Sequence, residues 1–213
     1  MPAIDHIVLV AESLEQGAEF VTQQLRVTPV YAWRNEVFGT HSLALRLGPA
    51  AFLEVIAIDE HAPPPARPRW YQLDDTEMQR TLMRRPRLFG WVVRVEDIDA
   101  AIRSAQFGVG EAVAFAQGGL AWRQSVPRDG ALVLFGAGPS LIEREGGGHP
   151  AQWLPDQGCA LDRLTVSDEA PARMRALLAS VGAETLVAFQ QGNRGESRFE
   201  VTITTPHGGG LLL

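Results

Sequence analysis

One supersecondary order, β-α-β-β-β, recurs three times along the chain, and that recurrence limits the fold more than any single motif. In residues 1–59 a strand, PAIDHIVLV, precedes Ser13, a good N-cap with Gln16 at the capping-box position. Leu14, Ala18, Val21 and Leu25 then follow at helical spacing, which predicts a helix ending near Leu25. VTPVYAW, HSLALRL and AFLEVIAI read as three strands, parted by the turn at Asn35 and by Gly48-Pro49. Residues 60–86 are a proline-rich connector with a short helix from Asp75, Met78 and Leu82 sharing a face, and this segment can lie over a cleft. The order restarts in residues 87–146 with FGWVVRV, a helix capped by Asp97, then EAVAFAQ, LAWRQSVP and SLIERE. After a loop at 147–158, residues 159–213 give CALDRLTV, a helix opening at Pro171, and strands at LVAFQQ, RFEVTITT and GLLL. One such unit leaves a sheet face bare, so units must pair. The expected fold is α+β, with repeated βαβββ modules forming curved, mostly antiparallel sheets and helices outside, packed as one unit.

Composition narrows the partners. With 213 residues, 46% hydrophobic and 21% charged, the chain reads as an ordinary globular protein. A net charge of −6 and a single short basic cluster, Arg84, Arg85 and Arg87 around Pro86, argue against nucleic acid. Cys159 is the one cysteine, so no intrachain disulfide forms and a reducing compartment fits; nothing nearby resembles an activating base. The N-terminus lacks signal-peptide features and no apolar run nears the roughly 20 residues that span a bilayer. A cytoplasmic protein without a membrane partner is expected.

Several polar residues stand where burial is costly. Strand alternation puts His6 on a face with Ile4, Val8 and Val10, and Glu54 on one with Phe52, Ile56 and Ile58. Each needs a partner, which a shared metal or the other residue would supply; a hydrogen-bonded core or cleft histidine is the plainer reading of His6. His41, beside Thr40, reads as a cleft general base, a further metal ligand, or a strand-end histidine bonded to backbone. Arg34 and Arg123 adjoin Trp33 and Trp122 and could grip a carboxylate bidentately; the alternative is a surface arginine covering an aromatic ring. Trp70 either closes over a cleft or anchors the connector. His61, His149 and His207 read as structural or exposed, and the runs Gly146–Gly148 and Gly208–Gly210 as turns.

The chain resembles the vicinal oxygen chelate superfamily, the glyoxalase and bleomycin-resistance fold. The resemblance rests on IDHIVLV with its capped helix, GTHSLALRLG, FLEVIAID, RPRWYQLDD, AWRQSVPRDG, PSLIERE, GHPAQWLPDQG and the closing third module. It implies modules paired around a cleft, each giving one metal ligand from its first strand and one from its last. Carried over, the first module supplies His6 and Glu54, and the second supplies Glu143 but has Trp91 at its first-strand position. The third has Arg163 and Leu212 at the two positions. His6, Glu54 and Glu143 would hold a zinc, manganese, iron or nickel ion, with water or substrate oxygens completing the shell. The implied function is a lyase or isomerase acting on a small oxygen-rich substrate through an enediolate, with Glu54 or Glu143 as base. The alternative is a metal-free binding protein, its pocket lined by Trp70, Trp91 and Trp122 with Arg34 or Arg123 supplying charge. A remnant serving only assembly is a third reading. Members of this fold often pair, so a homodimer is also expected.

Overall fold

The computed structural model describes residues 1–168, 171–193 and 198–212. The first module contains β1 (Ala3–Val10), α1 (Leu14–Leu25), β2 (Val30–Asn35), β3 (Thr40–Arg46) and β4 (Phe52–Ile58). Ser13 Oγ accepts from the Gln16 amide at 3.2 Å and starts α1, whose Leu14, Val21 and Leu25 are buried. Gln16 bonds back to the Glu12 amide, one residue before the expected cap. The connector carries α2 (Thr76–Leu82), capped by Asp75, with Met78 and Leu82 buried. The second module comprises β5 (Arg87–Arg94), α3 (Ile98–Ser104), β6 (Glu111–Gln117), β7 (Leu120–Val126) and β8 (Ser140–Arg144).

These two modules share one curled eight-stranded sheet, ordered β2-β3-β4-β1-β5-β8-β7-β6. Within each, the last strand lies parallel to the first, β4 on β1 and β8 on β5. The modules meet edge to edge where β1 runs antiparallel to β5. One sheet face, with Ile7, Leu9, Leu53, Val55 and Val93, packs against α1 and α3 in a single apolar cluster. The other face, with Val8, Val10, Ile56, Val92 and Ile142, is covered by the connector through Trp70, Tyr71, Leu73, Met78 and Leu82. The proline-rich segment therefore does more than link modules, since it supplies five buried side chains of the second core.

The third module contains β9 (Ala160–Asp168), α4 (Pro171–Ser180), β10 (Ala188–Gln191), β11 (Arg198–Thr205) and β12 (Gly208–Leu212). Its strand order, β10-β9-β11-β12, departs from the repeat: β11 rather than the last strand lies beside the first. Leu164, Val166, Val201 and Ile203 join the helix-side cluster of the first two modules. Arg163 is exposed, and the Leu212 side chain lies outside the described residues.

Candidate active site

The site begins with a bulge. Pairing of β1 with β5 shifts between Ile4, opposite Val93, and His6, opposite Val92, so Asp5 is an extra residue. Strict alternation places Ile4 with His6; the bulge instead sends Ile4 to the helix-side cluster and lets Asp5 and His6 meet. Asp5 is wholly buried and receives Arg144 Nε at 2.7 Å on Oδ2, Arg144 Nη2 at 2.5 Å on Oδ1 and His6 Nδ1 at 2.7 Å on Oδ1. His149 Nδ1 accepts from the Ala151 amide, so its proton belongs on Nε2, which lies 3.3 Å from Asp5 Oδ2. That contact lacks hydrogen-bond geometry, and Nε2 has no hydrogen-bond partner among the described residues. Burial pushes the Asp5 carboxyl up, yet the bonds from Arg144 and His6 and the close approach of His149 outweigh it and hold Asp5 well below the usual carboxylate range.

With Nδ1 committed to Asp5, His6 stacks on Phe52 at 4.7 Å and turns Nε2 toward Glu54 Oε2, 3.6 Å away. Glu54 is held from its other oxygen: Oε1 accepts from Trp33 Nε1 at 2.8 Å and from Ser42 Oγ at 2.7 Å. His6, Glu54 and Arg144 line a cavity of about 340 Å³ walled by Tyr31, Trp33, Phe52, Trp70, Trp122 and Trp153, with Gln124 at its side. Trp122 stacks on Phe115 and Trp70 on Phe38, so these walls are braced from behind.

The other sequence candidates lie elsewhere. Glu143 is on the helix side with Leu141, because Ile142 and Arg144 take the cavity side of β8. Its Oε2 accepts from the Ile98 amide at 2.7 Å, at the start of α3, and from Arg123 Nη2 at 2.8 Å. Arg123 also reaches Asp99 at 2.7 Å, so Glu143 and Arg123 serve α3 and not the cavity. Trp91 likewise faces the helix side, fully buried, its Nε1 donating to Ala137 O at 2.9 Å. The cavity side of β5 at that level is Gly90, where a Cβ would meet Tyr71 Cε1 at 2.7 Å; the connector's ring occupies the space a second-module ligand would need. Arg34 is exposed and pairs with Asp59 at 3.1 Å. His41 lies opposite Arg34 in the β2–β3 ladder and outside the cavity lining, and partial burial lowers its pKa. Of the sequence candidates, the structure brings together His6, Glu54, Trp70 and Trp122.

Asp5, Arg144, His149, Ser42 and Trp33 complete the site and were not singled out from the sequence for it. The donor chemistry does not fit a divalent ion. Among the described residues that line the cavity, His6 Nε2 and Glu54 Oε2 are the two metal-ligating atoms that face each other, and a guanidinium stands where the second module would offer a carboxylate. Among the described residues, no group of three or more histidine, cysteine, aspartate or glutamate side chains is arranged to hold a metal.

Paired βαβββ modules enclosing an aromatic cavity with a histidine and a glutamate at its wall define a protein of the glyoxalase fold class. A family model for the glyoxalase-like domain matches residues 4–182, and the chain belongs to that family, within the vicinal oxygen chelate superfamily. A hypothetical protein from Staphylococcus aureus has the same fold at TM-score 0.56 and 9% identity, over 95% of this chain and 81% of that one. A variant of 4-hydroxymandelate synthase from Streptomyces coelicolor aligns at TM-score 0.50 and 14% identity, over 100% of this chain and 63% of that one. Methylmalonyl-CoA epimerase from Mycobacterium tuberculosis aligns at TM-score 0.41 and 17% identity, covering 67% and 86%. No curated protein matches the sequence. No helix among the described residues is long and apolar enough to cross a membrane.

Proposed function

We propose that the protein binds a small organic molecule in the aromatic cavity and moves a proton on it with His6 and Glu54, without a resident divalent ion. The observation that carries this reading is the line Asp5–His6–Glu54 running along the cavity wall. Asp5 holds His6 with its proton on Nδ1, so Nε2 is the basic nitrogen presented to the cavity. Glu54, in a wall of indole and phenyl rings, offers a second proton-handling group on the far side of the 3.6 Å gap. One of them takes a proton from the ligand, the proton can pass across that gap to the other, and its delivery to another atom of the ligand or to a leaving group completes the step common to isomerases and lyases. Arg144 acts here through Asp5, fixing the carboxylate that orients His6.

The test is metal content of the untagged protein by mass spectrometry, together with a screen of small molecules in heavy water for C–H exchange followed by proton NMR. Exchange by metal-free protein, falling about 100-fold or more in Glu54→Gln and His6→Ala, is expected. Stoichiometric metal lost in both variants would replace this reading with a metal-dependent one. A bound ligand showing no exchange would leave a binding protein.

A further inference from the structure

We infer that the cavity selects organic cations: small molecules carrying a quaternary or protonated nitrogen on an apolar or flat body. The inference deepens the proposed function and rests on its assignment of the cavity as the ligand site.

Its first support is the wall. The chain contains five tryptophans, and four of them, Trp33, Trp70, Trp122 and Trp153, line this one cavity together with Tyr31 and Phe52. Indole faces carry the most negative π potential of any side chain and attract cations within about 6 Å of the ring centre. Its second support is charge. Among the lining residues only His6, Glu54 and Arg144 are titratable apart from Tyr31. Arg144 is closed in a two-bond pair with Asp5, which cancels it. Among the described residues Glu54 has no arginine partner: its bonds come from Trp33 and Ser42, both neutral donors, and His6 stands 3.6 Å away. The carboxylate left over in this aromatic lining is therefore Glu54. An anionic ligand would meet that carboxylate and the indole faces together, both repulsive to it; a cation would gain from both. A cationic nitrogen also acidifies the C–H next to it, which suits proton abstraction by the same His6–Glu54 pair.

The experiment is isothermal titration of the full chain with three probes of similar size and different charge: benzyltrimethylammonium, phenylacetamide and phenylacetate. The cation is expected to bind about tenfold or more tighter than the amide, and the acid weakest. Glu54→Gln, which keeps an acceptor for Trp33 and Ser42, should abolish most of that preference while amide binding persists. Trp122→Leu should weaken the cation more than the amide, with circular dichroism confirming that both variants fold. Equal or tighter binding of the amide or the acid would overturn the charge assignment and leave the cavity reading standing. Failure of all three probes to bind wild-type protein would overturn the inference. C–H exchange with uncharged molecules in the screen above would then show whether the proposed function survives it.

Discussion

Asp5 shows how much one residue can decide. It has no exposure, accepts from Arg144 and His6, and has His149 against it. Replacing it with alanine would strand a buried guanidinium and release His6 Nδ1. A loss of about 3–5 kcal/mol is expected from chemical denaturation, the range for breaking one partner out of a buried ion pair. Asp5→Asn retains the volume and some acceptor capacity, so it should lose less stability while still removing the charge that orients His6. In the sequence, His6 and Glu54 were legible because each interrupts an apolar strand face. Asp5 was not, because period-two alternation points it away from His6, and only the extra residue in the β1–β5 ladder reverses that. Arg144 was hidden similarly, one step from Glu143 on a short strand whose register follows from long-range pairing.

At the scale of elements, the connector is the decisive piece. Tyr71 and Gln72 both adopt positive φ, 56° and 54°, a conformation uncommon without glycine, and the Gln72 amide is tied to Gly130 O at 2.9 Å. That turn delivers Trp70 to the cavity and Tyr71 to the bare patch over Gly90. Gly90→Ala would push a methyl group into the Tyr71 ring and should cost about 1–3 kcal/mol, measured by urea unfolding, with weakened ligand binding as Trp70 is displaced. The helices and strands of this region were readable from caps and periodicity, as Asp75, Met78 and Leu82 show. That Trp91 faces the helices was not readable, because the sense of each face depends on bulges in both β1 and β5.

At the scale of the molecule, the repeated order announced the paired modules, while the third module's different strand order depends on packing the sequence does not display. Gly210 of β12 lies so close to α1 that a Cβ would fall 2.3 Å from Leu25 Cδ2, so the third sheet is fitted against the first module's helix. Two buried groups should bound stability on the pH axis. Asp5 is depressed in the folded state, so its contribution is present above the ordinary aspartate value near 3.9 and is lost as pH falls through its lower folded value. Tyr71 is shifted upward, by burial first and by the charge of Glu54 second, so its contribution holds below about pH 10 and declines as pH rises beyond it. An alkaline absorbance titration should show the Tyr71 phenol ionising only as the protein unfolds.

The distribution of tryptophans also makes the molecule its own optical instrument. Four indoles share the cavity and the fifth, Trp91, is sealed in the core with its N–H bonded to Ala137 O. A ligand entering the cavity changes the surroundings of the four and leaves the fifth untouched. Emission from Trp91 thus serves as an internal standard against which quenching or spectral shift of the others reports occupancy without any label.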